Sequence, residues 1–459
     1  MTDTGVATNR ARPAATPPRP YHFPTFERRQ LENGAQVVIA PARKLPLATV
    51  CLVAEAGAVT DTPERAGIAQ LTGDLLLEGS NQLSGAEIAE RFERLGAVVE
   101  VETQWDVCVI SVTALRQHLD SAVRLLGDVI RAPSFPEREV ERLKSERQAE
   151  LLRQRTEPRG LADDMFSRVV YTGASRYARP IGGTDTSVGA ITREDVQRFF
   201  EKRYQGGGLT LVIAGDVSID DGERLARSAF GAWSGGAPPT ATSNDTPARN
   251  SRGLHLVTKA DAQQAELRIG HVGVPRQHAD HFPIVIMNAV LGGLFSSRIN
   301  LNLRERHGYT YGAFSRFEWR RQAGPFAVST AVQTEVTALA AREVIDEIGR
   351  MRDSEVSAEE LSLATSYLDG VFPIRYETTD SIADALVTLC TLGLPDDFHD
   401  TYRERIRSVT SREVLRAAQM HLKPDALQML VVGDAAPLTE LLTKLEFAPI
   451  TLHDAKDDS

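Results

Sequence analysis

Short apolar runs alternate with amphipathic stretches along this chain. Residues 36–40, 49–54 and 107–113 are rich in Val, Ile and Thr, a composition typical of buried strands. Residues 84–96 place apolar side chains at steps of four and three and end at a glycine, and residues 281–291 form a second apolar stretch that stops at a Gly-Gly pair. These two patterns predict helices.

One helix-strand pattern occurs twice at a constant offset in residue number. Thr192 starts a predicted helix that leads into an apolar strand ending at Gly215, and Thr410 starts one that leads into a strand ending at Gly433. The offset between the helix starts is 410 − 192 = 218, and the offset between the strand ends is 433 − 215 = 218. The chain is therefore predicted to contain two copies of one fold in tandem.

Two further helix starts support the duplication. Ser134 and Ser357 each precede a glutamate by three positions, which is the spacing of a capping box. Their offset is 357 − 134 = 223, so few residues were gained between the copies. Strands and helices in mixed order predict an α+β fold, with helices packed on one face of the sheet in each half.

The predicted domain boundaries follow from composition. A stretch with Gly-Gly and Pro-Pro pairs and little periodic hydrophobicity predicts a linker between the copies. The prediction is a disordered leader (residues 1–22), a first half (23–233), a linker (234–252), a second half (253–447) and a tail (448–459).

Composition excludes some function classes. The chain has 459 residues, 42% of them hydrophobic, which is enough for two or more cored domains. Its net charge of −10 disfavours nucleic acid as a partner, because phosphate binding needs a basic surface. No apolar stretch in the sequence is expected to be long enough to span a bilayer. The leader has no continuous apolar run, which a secretory signal would need. A cytoplasmic protein is expected, or a periplasmic one if the start of the chain is misassigned.

The most informative motif is residues 67–80, GIAQLTGDLLLEGS. At the spacing of the zinc-peptidase motif H-x-x-E-H it carries Gln70, Gly73 and Asp74. In that motif two histidines bind the metal and the glutamate activates water. An amide is a poor zinc ligand and glycine cannot act as a base, so the chain is not expected to bind metal here or to cleave alone.

A wider resemblance surrounds this motif. The chain resembles the insulinase or pitrilysin family of zinc peptidases, which includes the mitochondrial processing peptidases and bacterial two-subunit relatives. The matching segments, besides the motif, are residues 95–103, 179–183, 209–217, 291–300 and 303–311. The resemblance implies two halves, each a mainly antiparallel sheet with helices on one face, arranged like a clamshell.

The resemblance assigns roles to Arg304 and Tyr311. In the family, the matching arginine and tyrosine bind the substrate main chain and the oxygen that becomes negative in the transition state. A guanidinium fork and a phenol are suitable donors for such an oxygen. The alternative is that Arg304 pairs with a carboxylate such as Glu305 and that Tyr311 packs in a strand.

Glu150 falls where the family places its third zinc ligand, at an offset of 150 − 74 = 76 from Asp74. A lone carboxylate does not hold zinc once both histidines are missing, although Asp74, Glu150 and Gln70 could together take a hard cation. A remnant that makes an ordinary hydrogen bond or ion pair is favoured. For the pair His278 and His281, a capped helix start is favoured over a metal site.

With these residues, the resemblance implies the non-catalytic subunit of a heterodimeric zinc endopeptidase. A homologous partner subunit with an intact H-x-x-E-H would hold the zinc, and this chain, without a cofactor of its own, would supply Arg304 and Tyr311 in trans. Unfolded peptides are the expected substrates, and they could pair with a strand edge at residues 98–101, where Glu100 replaces the family asparagine. The alternative is a purely structural subunit of a larger assembly.

Overall fold

The fold was analysed in a computed structural model that describes residues 19–173, 175–239, 249–260 and 262–454. Two six-stranded sheets organise this part of the chain. The first has the strands β1 (Glu27–Gln30), β2 (Gln36–Pro41), β3 (Leu47–Ala54), β4 (Val98–Thr103), β5 (Cys108–Leu115) and β6 (Thr210–Gly215). The second has the strands β7 (Gly253–Thr258), β8 (Gln264–Val272), β9 (Ala313–Phe317), β10 (Pro325–Gln333), β11 (Gln428–Gly433) and β12 (Ile450–Asp454).

The two sheets share one strand order. The first runs β1-β2-β6-β3-β5-β4, and the second runs β12-β7-β11-β8-β10-β9. In both, the central long-range pair is parallel, β2 with β6 and β7 with β11, whereas the pairs among the last four strands are antiparallel. The outermost strands differ, because β1 is antiparallel to β2 and β12 is parallel to β7. The predicted tandem duplication is therefore confirmed, apart from these outer strands.

Helices fill the connections in each half. The first half has α1 (Ile68–Leu75), α2 (Gly85–Arg94), α3 (Arg116–Arg131), α4 (Glu137–Thr156), α5 (Pro158–Val170), α6 (Asp185–Gly189), α7 (Arg193–Arg203) and α8 (Ile219–Phe230). The second has α9 (His281–Asn288), α10 (Arg298–Asn300), α11 (Thr337–Asp353), α12 (Ala358–Arg375), α13 (Thr379–Thr391), α14 (Phe398–Ser408), α15 (Ser411–His421) and α16 (Ala435–Thr443). Two π-helical segments follow α9 and α10, at Ala289–Gly293 and Leu301–Arg306.

The predicted helix starts are mostly confirmed. Capping boxes begin α2 at Ser84, α7 at Thr192, α12 at Ser357 and α15 at Thr410. The box predicted at Ser134 is wrong, because α4 begins only after Pro136 and has no side-chain cap. The intervening Phe135 is buried and has a φ of 44°, so its ring anchors the turn in place of a serine cap.

Each sheet is covered on both faces. Alternate residues of β2, such as Val37 and Ile39, pack into the core formed with the helices of the first half. Their neighbours Val38 and Ala40 face the other way, into a core that α13 of the second half completes by packing on β3 and β6. Conversely, α5 of the first half packs on the outer face of the second sheet, against residues of β8 and β11. The two halves thus exchange one helix each.

This exchange corrects the expected clamshell arrangement within the chain. Of the four hydrophobic cores in the described ranges, the halves share two. Ion pairs between the halves, Arg321 with Glu55 at 2.5 Å and Arg268 with Asp163 at 2.8 Å, join them further. Opening the halves would expose both shared cores.

The structure also modifies the predicted ends. Tyr21, within the predicted leader, packs edge-on against Phe372 with ring centroids 5.8 Å apart, and β12 lies in the predicted tail. Residues 1–18 of the leader, residues 240–248 of the linker and the last five residues lie outside the described ranges. By length and composition one helical stretch, His281–Arg306, could cross a membrane, but 61% of its apolar window is buried inside the protein, as in a core helix.

Candidate functional site

The degenerate motif lies on α1, whose start is held by a buried ion pair. Gly67 precedes the helix with a φ of 95°, a conformation that favours glycine. The Asp61 carboxylate accepts hydrogen bonds from the backbone N–H groups of Gly67 and Ala69, at 2.8 and 3.3 Å, and pairs with Arg176 at 3.0 Å. The frame of the motif is therefore retained although its zinc ligands are replaced.

Gly73, at the position of the catalytic glutamate, is packed against the neighbouring strands. A Cβ atom built there would lie 2.6 Å from Thr103 Oγ1 and 3.3 Å from Cys108 Sγ. Any side chain at this position would require these neighbours to move. The structure thus lacks both the base and the space that the base would use.

Asp74 and Glu150 lie on the adjacent helices α1 and α4, with Arg147 within electrostatic reach of both. Although the Asp74 side chain reaches solvent, the protein around it raises its pKa to about 6, and Arg147 opposes this rise. Glu150 accepts two hydrogen bonds from Arg153, at 2.8 and 2.9 Å, which lower its pKa. Glu150 therefore makes an ordinary ion pair with Arg153, as the sequence analysis favoured.

This donor set does not fit a zinc ion. Zinc sites use imidazole, thiolate and carboxylate ligands, whereas here the positions hold the Gln70 amide, a glycine and two carboxylates close to an arginine. The Arg147 Nε donates to the Gly182 carbonyl at 3.1 Å, which fixes its positive charge in this place. A bound cation would be repelled by that charge.

Arg304 lies in the second half, within the π-helical segment Leu301–Arg306. Such segments are rare and frequently occur at functional sites. The Arg304 guanidinium lies over the Phe295 ring at 4.6 Å, and its Nη1 makes an ion pair with Glu305 at 3.6 Å, so the pairing named as the alternative is present. Its Nη1 atom is buried and has no hydrogen-bond partner in the described part of the chain.

Tyr311 projects from the protein, with 93% of its surface exposed. The loop that carries it is nevertheless well fixed. Thr310 Oγ1 donates to the Gly312 carbonyl at 3.0 Å, and Thr330 Oγ1 donates to the same carbonyl at 3.0 Å. The alternative that Tyr311 packs in a strand is therefore wrong, because it precedes β9 and its ring packs against no part of the described chain.

Asn300 connects the segments that carry Phe295 and Tyr311. It is fully buried, its Nδ2 donates to the Phe295 carbonyl at 2.6 Å, and its Oδ1 accepts from the Ala313 N–H at 3.1 Å. One side chain therefore sets the relative position of the ring under Arg304 and the start of β9. Sequence reasoning missed this role.

Exposed apolar side chains are concentrated in the stretch of chain that contains Arg304. We call this group the Arg304 patch and define it by Phe295, Leu301, Tyr311 and Phe314, which are 63%, 44%, 93% and 52% exposed. Single exposed apolar residues are common, but a group of large ones in one short stretch of chain is typical of an interaction surface. One patch residue, Phe314, lies on β9, the edge strand of the second sheet.

The structure does not bring all predicted site residues together. Gln70, Gly73, Asp74 and Glu150 form one group in the first half, whereas no contact among the described residues joins Arg304 or Tyr311 to that group. The predicted strand edge is present, because β4 is the last strand of its sheet and pairs only with β5 in the described ranges.

The histidine pair near α9 is arranged differently from the prediction. Asp280 occupies the N-cap position but makes no cap, and its carboxylate instead accepts from Arg416 at 2.6 Å and from His421 Nε2 at 2.7 Å. Potential ligand atoms of His278, Asp280 and His421 lie within 4.8 Å of one another. A metal ion there would have to displace both of these hydrogen bonds, so the cluster is explained as a structural ion-pair network.

Family models match most of the folded chain. The model described as "Insulinase (Peptidase family M16)" matches residues 36–185, and the model described as "Peptidase M16 inactive domain" matches residues 190–368. The chain belongs to the insulinase family. The boundary between the matched regions precedes β6, so the second model also includes one strand of the first sheet.

Relatives within the insulinase family carry contrasting names. A Bacillus subtilis protein named "Uncharacterized zinc protease YmxG" is 23% identical over 78% of this chain and 86% of its own length. A Helicobacter pylori protein named "Non-peptidase homolog YmxG" is 24% identical over 85% of this chain and 90% of its own. This chain is an insulinase-family member with degenerate catalytic features.

Solved structures of the family share the fold. A Pseudomonas fluorescens structure described as a peptidase M16 inactive domain has a TM-score of 0.84 and 26% identity, over 89% of this chain and 98% of its own. A Helicobacter pylori structure described as a protease also has a TM-score of 0.84, at 17% identity, over 90% of this chain and 100% of its own. The latter similarity concerns the fold alone.

Proposed function

We propose that this chain is the non-catalytic subunit of a two-chain zinc endopeptidase of the insulinase family. The main support for this proposal is the exposure of Tyr311, a large side chain that is 93% exposed on a loop fixed by hydrogen bonds. A fixed loop presents its side chain at a defined position without any contact that stabilises this chain. Such an arrangement supports a role toward a second molecule.

Arg304 supports the same proposal. Its guanidinium is oriented by the Phe295 ring and by Glu305, and 34% of its side chain stays exposed to a second molecule. Together, Arg304 and Tyr311 would donate hydrogen bonds to the peptide main chain and to the oxygen that gains negative charge, while the partner subunit supplies the metal. Loss of one such donor typically lowers turnover about 100-fold to 1,000-fold.

The first half of the chain supports a partner that supplies the metal and the base. Gly73 provides no base, and Arg147 places a positive charge beside Asp74 and Glu150. We propose that this half holds no catalytic zinc and that its free β4 edge no longer presents a bond for cleavage. The Arg304 patch would be covered by the partner or by the bound peptide.

The test is reconstitution with an insulinase-family subunit of the same organism that carries H-x-x-E-H. The mixture should cleave a quenched fluorogenic peptide, and each chain alone should be at least 100-fold slower. Arg304→Ala and Tyr311→Phe should each lower kcat by roughly 100-fold or more. Matched controls are Arg306→Ala, an exposed arginine on the same helical segment, and Tyr309→Phe, and these should stay within about threefold of the unmodified chain.

Two results would count against the proposal. Full activity of the mixture with both variants would leave the pair without a catalytic role and favour a purely structural subunit. One zinc per chain in elemental analysis of the isolated protein, lost on Asp74→Asn, would show that the donor set of the first half binds metal after all.

A further inference from the structure

A cavity of about 640 Å³ lies in the second half, among β9, α9, α12 and α13. Its walls include several aromatic residues, among them Trp319, Tyr376 and Tyr402. A second cavity of about 420 Å³ shares Arg276, Trp319 and Thr388 with it and extends to residues 102–106, at the end of the free edge strand β4. Neither the degenerate motif nor the Arg304 patch lines either cavity.

Arg276 is the unusual residue in this wall. Only 8% of it is exposed, and it lines both cavities. Its guanidinium lies over the Phe398 ring at 4.6 Å and near the Trp319 ring at 5.7 Å. No ion pair or side-chain hydrogen bond reaches it from any residue in the described ranges.

A buried arginine without an ion pair or side-chain hydrogen bond is unusual. Guanidinium groups present five N–H donors, and buried charges are normally paired. Burial lowers the Arg276 pKa to about 10, so the group remains charged at neutral pH. The Asp384 carboxylate also lines the cavity, but it makes no ion pair with Arg276, and burial together with the charges of Asp380, Glu102 and Glu100 raises its pKa. The positive charge of Arg276 is thus left for a ligand.

Two buried histidines complete the polar lining. His281 and His399 are each 6% exposed, and the Nδ1 atom of each has no hydrogen-bond partner among the described residues. Both lie near Arg276, whose charge contributes to lowering their pKa values, after burial as the main cause. His399 Nε2 lies 3.4 Å from the Ala385 carbonyl, and because a carbonyl only accepts, Nε2 carries the proton and Nδ1 is an acceptor.

We propose that this cavity binds a carboxylate ligand, with Arg276 as the anion-binding residue. His399 would be the acceptor for an adjacent N–H or O–H group once a small shift of its ring exposes the Nδ1 atom, which is shielded from solvent in this structure. One amino-acid residue of a peptide offers both features, since its carboxylate lies a few bonds from an amide N–H. The carboxylate could belong to an acidic side chain, to a peptide C-terminus or to a free organic acid. The aromatic walls would pack against the apolar part of the ligand.

The proposal is tested with the isolated full-length chain, so its outcome is independent of any peptidase partner. Isothermal titration calorimetry would compare three matched pairs: acetyl-Ala-Phe-Glu-amide with its Gln analogue, acetyl-Ala-Ala-Phe with its amide, and benzoate with benzamide. At least one acid should bind at least tenfold more tightly than its neutral analogue. The pair that shows this difference identifies the source of the carboxylate.

Variants connect the binding to the residues. Arg276→Met should weaken the acid roughly 10-fold to 100-fold and leave the neutral analogue unchanged, as expected for loss of a charged hydrogen bond. His399→Phe keeps a ring but removes the acceptor, and it should weaken the acid roughly threefold to tenfold. Arg405→Met is the matched control, because this guanidinium lies over Phe282 at 5.0 Å but does not line the cavity.

Thermal unfolding separates binding from folding. Because Arg276 has no ion pair to lose within the described chain, Arg276→Met should melt at or above the temperature of the unmodified protein. If it misfolds, Arg276→Lys and His399→Phe carry the test. Equal binding of acids and neutral analogues, or unchanged acid binding in the folded Arg276 and His399 variants, would overturn the proposal.

Discussion

The exchanged helices predict that the two halves unfold as one unit, and Leu386→Ala tests this. Leu386 lies on α13 of the second half, is fully buried and packs into the outer face of the first sheet. The substitution removes three carbon atoms, which costs about 2.5 kcal/mol in transfer free energy. The cavity left behind raises the expected loss in unfolding free energy to about 3–4 kcal/mol.

The assay follows urea unfolding with one tryptophan reporter in each half. Trp233 belongs to the core of the first half, and Trp319 packs against that of the second. With the other two tryptophans replaced by Phe, each reporter should show the same midpoint, and Leu386→Ala should shift both midpoints equally. Leu363→Ala, at a position that is 49% exposed, is the control and should change stability by less than about 0.5 kcal/mol.

A particular result would refute the shared-core reasoning. If Leu386→Ala lowered the midpoint at Trp319 and left Trp233 unchanged, the first half would be stable without α13. A loss below about 1 kcal/mol at both reporters, far under the usual cost of such a truncation, would show that the outer face of the first sheet does not depend on this helix.

Four further predictions concern single sites. Gly73→Ala should lower stability by about 1–3 kcal/mol in urea unfolding, because its Cβ would lie 2.6 Å from Thr103 Oγ1, and Thr103→Ala in the same chain should restore much of the loss. Asn300→Ala should cost about 1–3 kcal/mol in thermal unfolding, since it leaves buried backbone groups unpaired. Tyr311→Phe should leave the melting temperature of the isolated chain unchanged, as the side chain is 93% exposed. Hydrogen bonds from Arg416 and His421 lower the Asp280 pKa from 3.8 to about 2. The ionised carboxylate therefore contributes about 2 kcal/mol to the free energy of unfolding above pH 4, and this contribution is lost as the pH falls toward 2. Asp280→Asn should remove this pH dependence from urea titrations at pH 2–5.

Each of these has a contradicting outcome. A Gly73→Ala chain as stable as the original would show that Thr103 moves freely. A neutral Asn300→Ala would mean that water replaces its bonds, and a destabilised Tyr311→Phe would reveal a structural contact of the phenol. Unchanged acid sensitivity in Asp280→Asn would assign that pH dependence to other carboxylates.

Local signals in the sequence predicted local structure well. The Ser84 and Thr410 helix starts have their capping boxes because the required side chains are only three positions apart. The constant offset that relates Gly215 to Gly433 predicted the repeated sheet, since equal strand patterns fold in equal topologies. At Ser134 the same kind of signal failed, because packing of Phe135 decided the backbone conformation there.

Long-range arrangements could not be predicted in this way. The apolar face of α13 indicates that the helix is buried, but it does not say which sheet covers it. Arg276 and His399 are distant in the sequence and meet only in the folded protein. Arg147 lies one turn before Glu150 on α4, a spacing that could have suggested its position beside the former ligand sites.

The reciprocal exchange of α5 and α13 also bears on how such a molecule could arise. A single copy of the repeat would leave one face of its sheet bare and one apolar helix without a surface to cover. Two identical copies would satisfy each other by trading that helix, as in a swapped homodimer. The present chain therefore has the architecture of such a dimer fused into one polypeptide, whose copies could afterwards diverge in sequence while each still completed the other.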